Sequence, residues 1–131
     1  MIADSSAWIA MLRGNHAAVG LRLEKALRRG EPVYMPDTVY QEVLQGASDV
    51  QHFLRLQTQL DLVPPFTPEE PRETARQAAM LYVRCRWQGI TIRSPNDCLI
   101  AACAIEAGEP LLHADRDFER IASIEPKLHF V

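Results

Sequence analysis

The stretch Met1-Ile2-Ala3-Asp4-Ser5-Ser6-Ala7-Trp8-Ile9 places a short apolar segment before one acid, two serines and a second apolar segment. This pattern predicts a β-strand over Met1–Ala3 that ends at Asp4. A helix over Ala7–Arg13 is predicted to follow, with Ser5 and Ser6 as candidate N-caps. A strand that runs directly into a helix is the building unit of α/β proteins, in which helices connect parallel strands.

The rest of the chain repeats this alternation of apolar segments and helical patterns. We predict further strands at Pro32–Pro36, Leu62–Val63, Leu111–His113 and Leu128–Val131. We predict further helices over Ala17–Arg29, from a cap at Asp37 to Gly46, from Ser48 to Leu60, and over Arg72–Gln88, Cys98–Ala107 and Arg116–Ser123. The sequence therefore predicts the α/β class, with a central, mostly parallel sheet of short strands flanked by helices.

Composition narrows the class of protein further. The chain has 131 residues, 47% hydrophobic and 24% charged, which predicts one globular domain over residues 1–131. The formal net charge is −3, so any nucleic-acid site must be a local feature. The three cysteines are Cys85, Cys98 and Cys103, and they form no C-x-x-C motif, which argues against a disulfide framework or a zinc site. We find no signal peptide or membrane-spanning pattern and expect a cytoplasmic protein.

Four acids occupy positions that are typical of a catalytic site. Asp4 and Asp115 each follow a predicted strand, where open parallel sheets have their reactive crevice. Glu42 lies between Val39 and Val43 on a short helix, and Asp97 opens a nearly uncharged helix. Along the chain these four acids are separated by 38, 55 and 18 residues, so only folding can bring them together.

Each acid also has a structural interpretation. Asp97 completes an S-x-x-D capping pattern with Ser94, and Asp115 is a plausible N-cap. Asp4 and Glu42 have no basic residue close in sequence, although a distant base remains an open alternative. Taken together, two carboxylates about 4 Å apart repel by roughly 4 kcal/mol at an effective dielectric near 20, so a cluster of them calls for cations. Oxygen ligands favour Mg²⁺ or Mn²⁺, and phosphodiester hydrolysis is the natural reaction of such a site.

Four blocks of sequence also resemble those of the PIN-domain nucleases, specifically the VapC-type toxins. The first block is the opening segment through Ile9, and the others contain the remaining acids in order. These others are Tyr40-Gln41-Glu42-Val43-Leu44-Gln45-Gly46, Ser94-Pro95-Asn96-Asp97-Cys98-Leu99-Ile100-Ala101-Ala102 and Leu111-Leu112-His113-Ala114-Asp115-Arg116-Asp117-Phe118. The four blocks cover essentially the whole chain in the family's order.

The resemblance implies a PIN-like fold and a site in which Asp4, Glu42, Asp97 and Asp115 bind Mg²⁺ or Mn²⁺ as the catalytic acids. It adds Asp117 as a further acid, supporting these or holding another metal, and it gives Ser6 a supporting role. The implied function is that of an endoribonuclease toxin of a type II toxin–antitoxin system, which hydrolyses RNA with a metal-activated water. The implied partners are a VapB-like antitoxin, an RNA substrate and a second copy of the chain.

Basic residues near the third and fourth blocks are candidates for contacts with RNA phosphates. These residues are Arg84, Arg86, Arg93 and Arg116, and their alternative role is a solvated surface or pairing with acids.

A haloacid-dehalogenase-type phosphatase is disfavoured because it needs an acid at position 6, which is Ser6. A receiver-like domain is disfavoured because neither lysine, Lys25 or Lys127, is well placed. A catalytically idle PIN fold that serves as a protein-interaction module remains the alternative.

Overall fold

The structure is a computed structural model that describes all of residues 1–131. Two helices follow each of the first three strands and one helix follows the last, which confirms the predicted α/β class. The strands are β1 (Ile2–Ala3), β2 (Met35–Pro36), β3 (Pro65–Phe66) and β4 (Leu111–Leu112). The helices are α1 (Ser5–Arg13), α2 (Ala18–Arg28), α3 (Asp37–Leu44), α4 (Val50–Leu60), α5 (Pro71–Trp87), α6 (Pro95–Ala107) and α7 (Arg116–Ile124).

The strands lie side by side and all run in the same direction. β1 pairs with β4 through Ile2 opposite Leu111, and β2 pairs with β3 through Met35 opposite Pro65. A single bridge from Ile2 to Tyr34 joins the two pairs, and a bridge from Leu111 to Phe130 adds the C-terminal segment. The order is therefore β3, β2, β1, β4 and the C-terminal segment, which confirms the predicted mostly parallel arrangement of short strands.

Helices cover both faces of these strands. A cluster of 30 buried apolar residues contains Ile2 and Leu111 from the strands and Phe118 from α7. α6 is buried along most of its length, since its only charged residue before the last turn is Asp97, near its start. Because β1 and β4 are parallel neighbours, the segments that follow them are adjacent, and the Ala114 N–H donates to the Ser6 hydroxyl. None of the helices is both long and apolar enough to cross a bilayer.

Two predicted strands differ in the structure. Leu62 and Val63 do not form a strand, because their N–H groups donate to Gln59 and Leu60 in a turn that ends α4. The strand forms instead at Pro65–Phe66, inside the proline-rich connector, where the Pro64 carbonyl accepts from Met35 at 2.9 Å. Proline has no N–H to donate and is tolerated because β3 lies at the edge of the sheet. The segment from Leu128 contributes only the bridge at Phe130 rather than a full strand.

Several helix caps also differ from the predictions. α1 begins at Ser5, and its cap is the Asp4 side chain, which accepts a hydrogen bond from the Ser6 N–H. α4 is capped by Asp49 rather than Ser48. Asp37 is the first residue of α3 rather than its cap. The predicted cap at Asp115 is confirmed, since its side chain accepts from the Asp117 N–H.

Candidate metal centre

Asp4 lies where β1 ends and α1 begins. Its carboxylate is buried and accepts hydrogen bonds from the Ser6 hydroxyl at 2.7 Å and from the Ser6 N–H at 3.1 Å. The Ser6 hydroxyl also accepts from the Ala114 N–H at 3.1 Å, in the loop between β4 and α7. Ser6 therefore fixes the orientation of Asp4 and ties it to the segment that carries Asp115.

Glu42 projects from α3 toward the start of α1. Burial raises the pKa of Glu42, the nearby Ser5 hydroxyl opposes the rise, and the negative charge of Asp4 adds to it. The buried Oε1 atom of Glu42 has no hydrogen-bond partner, and neither has the buried Ser5 hydroxyl oxygen. A buried carboxylate oxygen without a hydrogen-bond partner lowers the stability of the fold, so a cation would stabilise this carboxylate.

Asp97 lies in the first turn of α6 and is buried. The capping pattern does not form, since Ser94 makes no side-chain cap and only its carbonyl accepts the Asp97 N–H. Burial, the largest cause, and the negative charges of Asp4, Asp115, Glu42 and Asp117 together raise the pKa of Asp97 to about 7. Every influence on this carboxyl acts in the same direction, because the acids predicted from the sequence surround it.

Asp115 and Asp117 complete the group from the start of α7. One carboxylate oxygen from each of Asp97, Asp115 and Asp117 can be chosen so that all three lie within 4.8 Å of one another. Asp117 is fully buried, whereas Asp115 is partly exposed. Asp97, Asp115 and Asp117 thus form the closest group, and Asp4 and Glu42 lie near enough for their negative charges to raise the pKa of Asp97.

Two arginines offset part of this charge. Arg93 contacts Asp115 at 3.0 Å and Asp117 at 3.3 Å, and Arg120 contacts Asp117 at 2.9 Å. Burial by itself would raise the pKa of Asp117, but the Arg93 N–H, the Arg93 guanidinium and Arg120 together lower it. Asp4, Glu42 and Asp97 form no ion pair, so the charge is balanced on one side of the cluster and unbalanced on the other.

The other arginines predicted to bind RNA occupy different settings. Arg84 pairs with Glu125 at 2.9 Å and donates to the Ile124 carbonyl, so it joins α5 to the end of α7. Arg86 and Arg116 are exposed and form no ion pair. Arg93 lies at the edge of the acidic cluster and pairs with Asp115 and Asp117, which is the alternative role that the sequence left open for it.

His113 holds the loop that carries Asp115. Its Nδ1 atom accepts from the Asp115 N–H at 3.1 Å, and its ring packs against Phe118 and Phe130 with centroids 5.1 and 4.5 Å away. Burial lowers the pKa of His113, which favours the neutral ring that this hydrogen bond requires. The sequence predicts only a structural role for His113 and a helix cap at Ser5. It does not reveal that His113 accepts from the Asp115 N–H or that the Ser5 hydroxyl lies near Glu42.

The donor atoms of the cluster fit a hard divalent cation. They are all carboxylate oxygens, and no cysteine or histidine nitrogen competes for the position. The unpartnered Glu42 Oε1 and the unpaired Asp97 supply negative charge that the protein leaves uncompensated. The residues that would hold Mg²⁺ or Mn²⁺ are therefore present in suitable numbers and chemistry.

The chain is similar to known proteins over nearly its whole length. Residues 1–124 match the family model described as the PIN domain. The chain is 36% identical over 129 residues to VapC ribonuclease Mb1587 of Mycobacterium bovis and to ribonuclease VapC11 of Mycobacterium tuberculosis. These alignments cover 95% of this chain and 92% of each relative.

The fold is similar to that in a crystal structure of VapBC2 from Rickettsia felis bound to a DNA fragment from their promoter. The TM-score is 0.71 at 19% identity, and the match covers 99% of this chain and 96% of the other. The family match and the similarity to the mycobacterial relatives confirm the family resemblance recognised from the sequence. The chain therefore belongs to the PIN-domain family, within the group of VapC ribonucleases.

Proposed function

We propose that this chain is a Mg²⁺- or Mn²⁺-dependent endoribonuclease, the toxin of a type II toxin–antitoxin pair. Its relatives are named as VapC ribonucleases, which supports RNA as the substrate. The observation that carries the proposal is the convergence of acids from four separate segments around Asp97, whose pKa is raised to about 7. A fold keeps such an arrangement at a cost to its stability, and a bound cation accounts for that cost.

Asp4, Glu42, Asp97 and Asp115 are the residues that would hold the metal. A divalent cation supplies an activated water at neutral pH and stabilises negative charge on phosphate oxygens. The contribution of the chain is to keep four oxygen donors in place before the metal arrives. Ser6 fixes Asp4 from one side, and His113 fixes the loop of Asp115 from the other.

Asp117 would support the metal-binding acids rather than bind the metal itself. It is fully buried, and three donors from Arg93 and Arg120 already occupy its oxygens. Its proposed role is to hold the α5–α6 loop against the start of α7. Arg86 and Arg116, which are exposed and unpaired, remain the proposed contacts for RNA phosphates.

The proposed partners are a VapB-like antitoxin and a second copy of the chain. The structural relative was solved as a VapBC complex, and the family resemblance implies a homodimer. Exposed apolar side chains on α4 offer contact area, since Val50 and Leu54 lie one turn apart on its outer face. Co-expression with the antitoxin and measurement of the mass of the purified complex would test both partners.

One observation favours the alternative of an idle PIN fold that only binds other proteins. Arg93 and Arg120 already neutralise Asp115 and Asp117, as internal cations would in a fold without a metal. They leave Asp4, Glu42 and Asp97 without a counter-charge, and for this reason the nuclease is the better account.

RNA cleavage by the pure protein distinguishes the two functions. We expect cleavage with Mg²⁺ or Mn²⁺, none with EDTA, and a loss of about 100-fold or more in Asp4→Asn and Glu42→Gln. Asp37→Asn, which alters an exposed acid on the same helix as Glu42, is the matched control and should keep full activity. Cleavage that survives both EDTA and Asp4→Asn would exclude this mechanism. No cleavage of any cellular RNA would favour the interaction module.

The product ends give a separate test of the reaction. Hydrolysis by water should leave a 5′-phosphate and a 3′-hydroxyl. A 2′,3′-cyclic phosphate would mean that the ribose hydroxyl attacks, which would contradict the proposed route.

A further inference from the structure

Arg93 lies in the loop of residues 88–94 between α5 and α6 and enters the acidic cluster from that side. Its Nη2 atom contacts Asp115 Oδ1 at 3.0 Å, and its Nε atom contacts Asp117 Oδ2 at 3.3 Å. Its backbone N–H also donates to Asp117 Oδ2 at 3.0 Å. One residue therefore contacts two acids of the cluster, through its side chain to both and through its backbone to one.

The two acids do not depend equally on the guanidinium. Asp117 keeps the Arg93 backbone N–H and Arg120 as partners whatever the Arg93 side chain does. Asp115 Oδ1 is otherwise contacted only by the Asp117 N–H. The Arg93 side chain is 72% exposed, so water can replace its contact with Asp115. Asp117 therefore retains two partners when the guanidinium moves away, whereas Asp115 loses its one cationic partner.

Asp115 is also an acid that lies beside Asp97. One carboxylate oxygen from each of Asp97, Asp115 and Asp117 lies within 4.8 Å of the others. A cation bound to Asp115 would therefore lie close to the Arg93 guanidinium, which contacts the same carboxylate at 3.0 Å. Like charges at such a distance repel strongly, so both cannot keep the same carboxylate. Arg93 and a divalent cation are thus competitors for Asp115.

We propose that Arg93 is a resident counter-cation, which holds Asp115 while no metal is bound and leaves it when a divalent cation binds. This inference rests on the proposed metal-dependent function. It makes Arg93 a positioning residue that sets the metal affinity of the site. The exchange lets the metal-free chain keep Asp115 in place without an uncompensated charge.

Mn²⁺ affinity, measured by calorimetry, tests the competition without relying on activity. Arg93→Met removes the guanidinium and keeps the backbone N–H. Arg120→Met is the matched control, since it removes one charge from the same region but contacts Asp117 alone. We expect the Kd for Mn²⁺ to fall at least tenfold in Arg93→Met and less than threefold in Arg120→Met. Equal effects in the two variants would overturn the proposal, because they would reflect net charge alone.

The Nη–H resonances of Arg93 in ¹⁵N-labelled wild-type protein report the exchange directly, because Nη2 is the atom that contacts Asp115 Oδ1, and Arg93→Met is used to assign them. Mg²⁺ is added until the backbone amide shifts of Asp97 and Asp115 stop changing. At that point the Nη–H resonances should have moved to the position of a solvated arginine. A resonance that stays in place at saturation would overturn the proposal and leave the nuclease function standing. Absence of metal binding in both wild type and Arg93→Met would instead overturn the proposed function, and this inference with it.

Discussion

At the scale of a single residue, Asp97 is the acid whose environment most strongly favours a bound cation. It is a buried acid at the start of α6, its carboxylate has no cation partner, and other acids surround it. The sequence placed it in the cluster but also allowed a simple helix cap. The structure removes that second role, because Asp97 caps nothing. Its side chain is thus costly to the metal-free fold.

This cost should appear as a pH dependence of stability. The pKa of Asp97 is raised from 3.8 to about 7, so the folded chain binds the extra proton more tightly than the unfolded chain does. The free energy of unfolding should therefore fall as pH rises from about 4 to about 7, by about 4 kcal/mol at most. Above pH 7 this contribution should stay constant.

Asp97→Asn isolates that contribution. In EDTA, the variant should be more stable than the wild type at pH 8, and the difference should shrink toward pH 5. Urea denaturation at the two pH values measures it. An equal stability difference at both pH values would show that Asp97 titrates normally in the folded chain.

At the residue scale, the sequence indicates which acids lack a nearby base but not which arginine pairs with which acid. Asp4 and Glu42 have no base nearby in sequence, and the structure gives them none. The pairing of Arg93 with Asp115 spans 22 residues and joins a loop to a helix start. Sequence patterns carry no signal for a contact of that kind, because it depends on how the α5–α6 loop folds over α7.

At the scale of secondary structure, the helices follow the sequence closely and the strands less so. Helices of eight or more residues repeat their apolar pattern enough to be located. The strands are two residues long, too short for a pattern of their own. The apolar pair Leu62–Val63 therefore predicts a strand, although Leu62 is 83% exposed and the strand forms at Pro65–Phe66.

The packing of α1 against α2 gives a test at this scale. A Cβ atom added to Gly20 would lie 2.8 Å from the Met11 backbone nitrogen and 2.9 Å from the Ala10 carbonyl carbon. These are backbone atoms, so one helix must move away from the other. We expect Gly20→Ala to lower the free energy of unfolding by about 1–3 kcal/mol, despite the higher helix propensity of alanine.

Gly46→Ala is the matched control for this substitution. Its added Cβ atom would meet only the Val43 carbonyl oxygen at 3.4 Å, which requires little adjustment. Urea denaturation of both variants makes the comparison. A Gly20→Ala protein as stable as Gly46→Ala would contradict the close approach of α1 and α2.

At the scale of the whole molecule, an acidic chain must bind a polyanion through a local surface. The net charge is −3, and the acidic cluster adds to the repulsion until cations bind. Arg86, in the last turn of α5, and Arg116, the first residue of α7, are exposed and form no ion pair. Their contribution should be electrostatic and should weaken with salt.

Arg86→Ala with Arg116→Ala should weaken RNA binding and reduce its salt dependence. The plot of log K against log salt concentration should become shallower by roughly 0.7 to 0.9 for each phosphate that the variant no longer neutralises. Binding is measured in an Asp4→Asn background so that the RNA stays intact. Arg76→Ala, toward the other end of α5, is the control and should leave the slope unchanged. An unchanged slope in the double variant would remove these two residues from the RNA surface.

The proposed function requires that acids from distant segments of the chain bind a divalent cation together. Anomalous diffraction from a crystal soaked in Mn²⁺ examines this most directly, because it locates the ion itself. We expect a peak bounded by the carboxylates of Asp4, Asp97 and Asp115, absent from crystals of Asp97→Asn. Saturating Mn²⁺ with no peak among these side chains would contradict the account.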